Sequence, residues 1–401
     1  MSAAERISET DPGYGPWPHY EDDEVGAVVD VLHSGRVNQW TGDRVLAFQD
    51  VLADAHQMPH AIAVANGTLA LELALRAFEI GPGDEVIVSP RSFVASATVV
   101  DLVGATPVFA DVDRDSQNVT VETVSKCLSS RTKAVMAVHV AGWPCDAPAL
   151  ANWASQNGIR LIEDCAQAHG ASVQGRSVGS FGDASAFSFC QDKIISTGGE
   201  GGAVLFRDRA AWERAWSFKD HGKAHDKVFD RNPPPGFRWL VDSVGTNYRM
   251  TEMQAAIGIV QYRKLERWVA RRRANAQAWF AALSRCPNIR IPVPDPAYRH
   301  AHYRAYAFLV PDQMRAATTR EDIFERLRAE GLPAFSGACP EIYREHVYAH
   351  RDIAPLPVAA ELGQTSLMFD VHHRMDPVVL EDVAERTAAV IASFARENGC
   401  A

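Results

Sequence analysis

The chain has 401 residues, of which 47% are hydrophobic and 22% are charged, values typical of globular proteins and unlike those of disordered or collagen-like sequences. Its formal charge of -10 at pH 7 argues against a broad nucleic-acid-binding surface, because such a surface needs clustered Lys and Arg in excess. An anionic ligand would therefore have to meet cations that are placed locally within one site.

The first half of the chain carries an alternation of two patterns. Residues 1–20 are polar, contain no apolar run of the signal-peptide kind, and are expected to form an N-terminal extension. Residues 61–206 alternate β-type runs with helical patterns: "AIAVAN" and "TLALELALRAFEI", "DEVIVS" and "SFVASATVVDLVGA", "KAVMAVHV" and "APALANWASQNG", "IRLIED" and "CAQAHG". Two more strands, "ASAFSF" and "GAVLFR", flank a lysine-containing segment. This alternation predicts crossover units around a mostly parallel, buried sheet.

The second half of the chain changes pattern twice. "HDKVFDRNPPPGFRW" contains three consecutive prolines and predicts a loop. "TEMQAAIGIVQYRKLERWVARRRANAQAWFAAL" predicts a long, Arg-rich helix that links to a smaller domain. We therefore expect an α/β fold with an extension at 1–20, a large domain at 21–265 whose mostly parallel mixed sheet is flanked by helices, and a small α+β domain at 266–401.

Cysteine usage and hydropathy indicate a reduced, cytoplasmic protein without a membrane span. The seven cysteines form no C-x-x-C pair and no zinc-ribbon spacing, which favours free thiols. The longest weakly polar run, "FVASATVVDLVGATPVFA", is interrupted by Asp101, Gly104 and Pro107. We interpret this run as a helix followed by a short strand.

The first candidate site is the strand-to-helix junction in "VANGTLALELAL". Backbone N–H groups at the start of a helix, together with the helix dipole, suit a phosphate, which makes Gly67 and Thr68 candidate ligands. The alternative is an ordinary turn in which Thr68 caps the helix. This junction alone does not decide between the two.

A second candidate follows the run "LIED". Asp164 ends a predicted parallel strand, at the edge of the sheet where open α/β folds bind ligands. A partly desolvated carboxylate there favours a cationic partner, and a protonated heterocyclic nitrogen is one candidate. The alternatives are that Glu163 or Asp164 caps the next helix, and that Gln167 and His169 are hydrogen-bonded scaffold.

The third candidate is "FSFCQDKIISTGGEGG". Lys193 becomes a nucleophile if burial or a neighbouring cation lowers its pKa, and Ser188 can donate its hydroxyl to an anion on the same rim. The glycines at 198–202 allow a sharp turn or a close approach to a planar ligand. The alternative is an exposed loop lysine. Together, the phosphate turn, the acid and the amine are the complement of pyridoxal 5'-phosphate.

Combined motifs identify a resemblance. "NGT", "GPGDEVIVSPRSFVASA", "GATPVFADVD", "IEDCAQAHGA", "GDASAFSFCQDK", "TGGEGG", "HG" and "GTNYRMTEMQAAIG" resemble the sugar aminotransferase family often called DegT/DnrJ/EryC1/StrS. Members are fold-type I pyridoxal-phosphate enzymes. The resemblance is strong over residues 15–275 and weaker beyond them.

The resemblance implies roles for nine residues. It implies that Lys193 is joined covalently to the cofactor and later shuttles a proton, while Asp164 keeps the pyridine nitrogen protonated. Phe93 occupies the position at which the family stacks an aromatic ring on the cofactor, and Gln167 would lie beside the ring and its phenolic oxygen. The remaining residues would bind phosphate: Gly67, Thr68 and Ser188 in the same subunit, and Asn247 or Arg249 toward a neighbouring subunit. A shared site of that kind implies a homodimer.

The implied reaction is transamination. Family members that are sugar dehydratases carry histidine in place of the lysine, whereas this chain has Lys193. An amino acid, with glutamate as the expected donor, would give its amine to a keto-sugar that is expected to be nucleotide-linked. Alternatives are a keto-cyclitol substrate, an aromatic amino acid precursor, or a non-catalytic regulator on the same fold. A nucleotide-binding α/β protein is disfavoured because the chain lacks G-x-x-x-x-G-K-[ST].

Three residues are not explained by the resemblance. Arg91 stands where relatives carry a small or uncharged residue, and it would contact an anionic substrate group or face solvent. His372 and His373 are adjacent, with no third residue in the sequence that completes a metal site. We expect no metal.

Overall fold

A computed structural model describes residues 14–396, which contain twelve α-helices and thirteen strands. Residues 1–13 of the expected N-terminal extension and Cys400 lie outside the described residues. The helices are α1 (Asp22–Ser34), α2 (Arg44–His56), α3 (Gly67–Ala77), α4 (Ala95–Leu102), α5 (Val121–Ser125), α6 (Ala147–Gln156), α7 (Arg209–Lys219), α8 (His225–Val228), α9 (Glu252–Leu283), α10 (Arg320–Ala329), α11 (Pro357–Thr365) and α12 (Pro377–Ala392). The strands are β1 (His60–Val64), β2 (Glu85–Val88), β3 (Thr106–Phe109), β4 (Thr132–Val138), β5 (Arg160–Asp164), β6 (Ser172–Val173), β7 (Arg176–Ser177), β8 (Ala184–Ser188), β9 (Gly202–Phe206), β10 (Ile289–Arg290), β11 (Tyr298–Arg299), β12 (Ala305–Leu309) and β13 (Ser366–Phe369).

A seven-stranded sheet forms the centre of the large domain. Its strand order is β1-β9-β8-β5-β4-β2-β3, and β9 runs antiparallel to both of its neighbours while the other pairs are parallel. Short apolar strands that are buried on both faces are typical of such sheets. The expected mostly parallel mixed sheet with flanking helices is thus confirmed.

Helices cover both faces of this sheet. On β1, Ile62 and Val64 pack with α3, α4 and α7, whereas Ala61 and Ala63 pack with α2 and α9. The alternation follows from the two-residue period of a strand. The sheet therefore forms the middle of three layers, with its carboxyl edge left for side chains and turns.

One predicted helix is absent. "CAQAHG" forms turns in the structure, because Asp164 Oδ1 accepts the N–H of Ala166 (3.1 Å) and the imidazole of His169 is bound to the carbonyl of Ser188 (2.8 Å). Gly170 adds a φ of 80°. Side-chain bonds to the backbone have replaced the helical ones.

A second, smaller core lies around the sheet β10-β12-β13, with α10 and α12 packed against it. Helix α9 is 32 residues long and begins with a capping box between Thr251 and Gln254. Its first half packs under the large sheet and its second half packs in the smaller core. The expected domain boundary at residue 265 falls inside this helix, and the division into 21–265 and 266–401 stays a prediction.

Candidate active site

The carboxyl edge of the central sheet brings the candidate residues together. Asp164 is the last residue of β5 and pairs in register with Ala186 of β8, two residues before Ser188. Ser188 pairs with Gly202 of β9, which in turn pairs with Val64 of β1. Since neighbouring strands lie about 4.8 Å apart, the start of α3, Ser188 and Asp164 follow one another along this edge.

Close backbone packing shapes the start of α3. Asn66 caps the helix through a bond from the N–H of Leu69 to Asn66 Oδ1 (3.0 Å). A Cβ added to Gly67 would lie 2.7 Å from Ser188 Cβ, and one added to Gly202 would lie 2.3 Å from the carbonyl carbon of Asn66. Glycine is therefore required at both positions. The capping residue is Asn66 and not Thr68, so the alternative of a Thr68 cap is wrong.

The first N–H groups of α3 are available to a ligand. The N–H of Leu69 is bound to the Asn66 side chain and that of Ala70 to the Asn66 carbonyl, whereas those of Gly67 and Thr68 precede the first intrahelical bond. With the positive end of the helix dipole, these groups form an anion-binding geometry beside the hydroxyl of Ser188.

Asp164 is a buried carboxylate with neutral hydrogen-bond partners. Its Oδ2 accepts the hydroxyl of Ser96 (2.9 Å), which is bound to the hydroxyl of Ser92 (2.9 Å). Burial raises the pKa of Asp164, although the hydrogen bonds from Ala166 and Ser96 lower it. A cation brought next to this carboxylate would restore its charged form.

Lys193 is partly buried and faces an anion. Its Nζ lies 3.3 Å from Asp192 Oδ2 and 5.0 Å from the centroid of the Tyr303 ring, and the hydroxyl of Tyr303 donates to the same Asp192 oxygen. Burial opposes the charged amine, but Tyr303 and Asp192 outweigh it and raise the pKa of Lys193 above its usual value. The expectation that burial or a cation would lower this pKa is therefore wrong in this structure. So is the alternative of an exposed loop lysine.

The turn after Lys193 uses its glycines in two ways. Gly198 and Gly199 have φ values of 85° and 110°, a region that favours glycine. The carbonyl of Gly199 accepts the N–H of Gln191 across the turn (2.9 Å). Gly202 instead allows the close approach to α3 described above.

Gln167 and His169 differ in their surroundings. Gln167 Oε1 accepts the N–H of Ala141 (2.7 Å), which fixes the side chain and leaves its NH₂ group to donate elsewhere. His169 stacks on Phe189 (5.4 Å between centroids) and its pKa is lowered to about 3, chiefly by burial. His169 is thus neutral scaffold, as one of the alternatives held.

Phe93 is exposed at the same edge. Its side chain is 58% accessible, which is unusual for a phenylalanine that precedes a buried helix. Its ring can therefore stack on a ligand that enters from this side.

Asn247 and Arg249 lie beside a cationic cluster. Arg249 Nη1 is 2.9 Å from Asp220 Oδ1, while its Nε is buried without a partner among the described residues. Lys219 and Lys223 contact the same carboxylate, at 3.4 and 3.1 Å. Asn247 pairs with Asp220 through a backbone bridge. Three cations thus share one carboxylate, and the cluster keeps a positive charge.

Sequence reasoning missed three residues that contact this site. Asp192 could have been noticed, because it adjoins Lys193 in the sequence. Tyr303 lies 111 positions away from Asp192, and Ser96 lies 68 positions from Asp164. Contacts over such separations have no local sequence signal.

Arg91 is fully buried, so the alternative that it faces solvent is wrong. Its Nε donates to Gln117 Oε1 (2.7 Å), and its guanidinium carbon lies 5.9 Å from the centroid of the Tyr306 ring. Nη1 and Nη2 have no partner among the described residues. Burial lowers the pKa of Arg91.

A buried group near β5 combines potential metal ligands. Atoms of His139, Glu163 and Cys165 lie within 4.8 Å of one another. Glu163 accepts three backbone N–H groups of residues 179–182 and faces His139 Nε2 (3.1 Å), while His139 Nδ1 accepts the N–H of Cys145 (2.9 Å). Hydrogen bonds therefore account for this group, including Glu163, without a metal ion.

Two further features lie apart from this edge. A surface cleft of about 520 Å³ lies between α3, α7 and residues 224–244, and none of the candidate site residues lines it. Within residues 14–396, none of the helices combines the length and the apolar character that crossing a bilayer requires.

Comparisons with known proteins agree with this geometry. The profile of the DegT/DnrJ/EryC1/StrS aminotransferase family matches residues 18–388. UDP-N-acetyl-3-dehydro-alpha-D-glucosamine 3-aminotransferase of Acidithiobacillus ferrooxidans is 34% identical, over 87% of this chain and 88% of its own. L-glutamine:2-deoxy-scyllo-inosose aminotransferase of Streptomyces fradiae is 35% identical, over 94% and 89%. The crystal structure of an aminotransferase from Psychrobacter cryohalolentis matches with a TM-score of 0.92 and 42% identity, over 95% of this chain and 99% of that one.

Proposed function

The chain belongs to the DegT/DnrJ/EryC1/StrS aminotransferase family, and from this premise we propose that it aminates a keto-sugar with pyridoxal 5'-phosphate as cofactor. The proposed donor is an amino acid, glutamate, and the proposed acceptor is nucleotide-linked, which places the reaction in amino-sugar biosynthesis. The relative from Acidithiobacillus ferrooxidans, which is named for the amination of a nucleotide-linked keto-sugar, supports this substrate class.

One observation carries the proposal. At a single sheet edge lie a partly buried amine, a buried carboxylate whose hydroxyl partner is neutral, and a helix start that excludes a Cβ. These groups fit the aldehyde, the pyridine nitrogen and the phosphate of pyridoxal 5'-phosphate. When bound, this cofactor supplies an aldehyde that can join an amine and a ring that accepts electrons.

Lys193 would hold the cofactor and move the proton. Asp192 and the ring of Tyr303 face its amine and favour the protonated form. Only the deprotonated form of Lys193 Nζ has a free electron pair, and in that form it would accept the proton from the α-carbon of the amino donor. In each half of the reaction, Lys193 would move a proton between a substrate carbon and the cofactor carbon, in opposite directions in the two halves.

Asp164 would hold the pyridine nitrogen in its protonated form. Its carboxylate is buried with a neutral hydroxyl as its side-chain hydrogen-bond partner, so a protonated pyridine nitrogen would favour its charged form. Ser96 fixes Oδ2, and the N–H of Ala166 fixes Oδ1. Both bonds keep the carboxylate oriented without neutralising it.

The phosphate and the ring would be held by the remaining candidates. The N–H groups of Gly67 and Thr68 and the hydroxyl of Ser188 suit the phosphate, and Phe93 suits a stacked ring. Gln167, whose carbonyl oxygen is fixed by Ala141, can donate its NH₂ group to the phenolic oxygen.

We propose a cytoplasmic homodimer in which Asn247 or Arg249 reaches the phosphate of the partner. The buried Nε of Arg249, which has no partner among the described residues, supports an external anion. Phe237 and Trp239 are exposed by 80% and 82% in the segment between α8 and α9, and such apolar exposure is typical of an interface.

A second candidate substrate is a free keto-cyclitol. The relative from Streptomyces fradiae, which is named for the amination of 2-deoxy-scyllo-inosose by glutamine, aligns with 94% of this chain. The cofactor residues would be the same for both substrates, so only the acceptor distinguishes them.

The deciding experiment incubates the purified protein with pyridoxal 5'-phosphate, one amino donor and one keto-substrate. Donors are glutamate and glutamine, and acceptors are a panel of nucleotide-linked keto-sugars and free keto-cyclitols. The mass of the aminated product identifies the acceptor. A nucleotide-linked product supports the first candidate, and a product from the cyclitol alone supports the second.

Two variants provide the controls. Lys193→Ala should abolish amination and the borohydride-dependent labelling of residue 193, while the far-ultraviolet circular dichroism stays unchanged. Lys126→Ala removes an exposed lysine that pairs with Glu122 and should leave both readouts intact. Amination by Lys193→Ala at the normal rate would contradict the proposal.

A further inference from the structure

The segment that carries Lys193 is held by the N-terminal segment, residues 14–21. The indole Nε1 of Trp17 donates to the carbonyl oxygen of Lys193 (3.1 Å), and the hydroxyl of Tyr20 donates to Ser196 Oγ (3.2 Å). Both contacts join residues that are 176 positions apart. The two segments therefore run alongside each other in one register.

The lysine segment has little regular structure of its own. Residues 189–201 form turns between β8 and β9, and the N–H of Lys193 closes a turn onto the carbonyl of Cys190 (3.0 Å). The N–H of Ser196 is bound to Gln261 Oε1 of α9 (2.8 Å). The side chain that binds the carbonyl of Lys193 is thus that of Trp17, and this bond helps to determine the local backbone orientation.

Trp17 is itself fixed from two sides. Its ring packs edge-on against Trp268 of α9 (5.6 Å between centroids) and against His373 (4.8 Å), and the guanidinium carbon of Arg272 lies 5.6 Å from its centroid. His373 stacks in parallel on Trp268 (4.1 Å, 7°). The two rings and the guanidinium set the indole N–H toward the lysine segment.

The same segment reaches the smaller core. Tyr14 is buried in the hydrophobic cluster that contains α12 and β13, and His373 follows β13 in the chain. The N-terminal segment therefore connects the smaller core directly to the backbone of Lys193. This connection also gives His373 a structural role, because its ring packs against Trp17 and Trp268.

We propose that Trp17 is a positioning residue that sets the backbone of Lys193 from the smaller core. The proposal rests on the proposed function of Lys193 as the amine that joins the cofactor. An amine that must meet an aldehyde at bonding distance loses rate when its backbone anchor shifts, and an error of about 1 Å is enough to matter. Trp17 touches neither reacting atom and acts through Lys193.

The test removes the indole N–H and keeps the ring. Trp17→Phe is compared with Trp212→Phe, a matched control in which the half-buried indole Nε1 also donates to a backbone carbonyl, that of Ala61 (3.3 Å). Tyr20→Phe removes the second contact. Hydrogen exchange of residues 190–197 is measured by mass spectrometry on the protein without cofactor, and the visible absorbance records how fast Lys193 combines with added pyridoxal 5'-phosphate.

We expect Trp17→Phe to speed exchange in residues 190–197 by about five- to tenfold, as the loss of one hydrogen bond implies. The combination with cofactor should slow by a similar factor, with kcat reduced and KM for the keto-substrate unchanged. Tyr20→Phe should act in the same direction, and Trp212→Phe should leave both readouts as in the wild type.

Two results would overturn the inference. One is unchanged exchange in Trp17→Phe; the other is faster exchange together with an unchanged rate of combination, which would make the bond purely structural. A failure of the proposed function is distinguishable, because a wild-type protein that never combines with pyridoxal 5'-phosphate would contradict that proposal and the positioning role together, even with the exchange difference present.

Discussion

Gly67→Ala and Gly26→Ala are the same substitution in two environments, and we expect opposite effects on stability. Gly26 lies in α1 with nothing within 4 Å of an added Cβ, so alanine should raise the free energy of unfolding by about 0.5–1 kcal/mol. At Gly67 the added Cβ would lie 2.7 Å from Ser188 Cβ, about 1 Å inside normal contact. Relief of this contact would push β8 away from α3, at a cost of about 1–3 kcal/mol.

Chemical denaturation of the two variants without cofactor measures this difference. A second measurement compares the affinities for pyridoxal 5'-phosphate and for pyridoxal, which lacks the phosphate. Because displacement of α3 would disturb the phosphate contacts, Gly67→Ala should lower the ratio of the affinity for pyridoxal 5'-phosphate to that for pyridoxal by about tenfold. Gly26→Ala should leave this ratio unchanged. If Gly67→Ala proved as stable as Gly26→Ala, the close approach of α3 and β8 would be refuted.

Two more variants test the electrostatics. Asp164→Asn should retain the cofactor but slow kcat by about 100-fold or more, because a neutral amide cannot hold the pyridine nitrogen protonated. Single-turnover absorbance with glutamate measures this rate, and the exposed Asp54→Asn is the control. A rate within about threefold of wild type would count against the proposed role of Asp164. Burial lowers the pKa of Lys219 from 10.5 to about 8, outweighing Asp220. Below pH 8 both the folded and the unfolded chain carry this proton, and between pH 8 and 10.5 the unfolded chain binds more of it, so stability from this group rises with pH there. Lys219→Met should therefore raise the free energy of unfolding at pH 7 by about 3 kcal/mol and remove the rise above pH 8. Denaturation at pH 7 and 9.5 tests this with Lys126→Met as control, and an equal pH slope in wild type and variant would be inconsistent with a buried, partly neutral Lys219.

The elements that the sequence predicted are those whose signal is local. Strands such as Glu85–Val88 and Arg160–Asp164 are short apolar runs bounded by turns, and each was expected where the structure has it. The location of Gly67, Asp164 and Ser188 at one edge also followed from sequence, because parallel strands end on the same side of a sheet. Their order along that edge, with Ser188 between Gly67 and Asp164, did not.

What the sequence did not predict depends on contacts between distant residues. The helix expected for "CAQAHG" is absent because His169 is bound to the carbonyl of Ser188, on a different strand. The pKa of Lys193 is raised by Tyr303 and Asp192, and the first of these lies more than 100 residues away. Trp17 likewise reaches Lys193 only through the folded chain. Periodicity and turn chemistry contain no information about such pairs.

Local charge explains how a chain with a formal charge of -10 could bind an anionic cofactor and an anionic substrate. Near Tyr303, cations outnumber carboxylates: the cations are Lys193, Arg272 and Arg304, and the carboxylates are Asp192 and Asp370. In the cluster around Asp220, three cations stand against one carboxylate. Both regions are thus locally positive, and burial strengthens their attraction for a phosphate relative to an exposed lysine. The acidic remainder of the surface does not weaken these sites, because exposed charges beyond about 10 Å are largely screened at physiological salt.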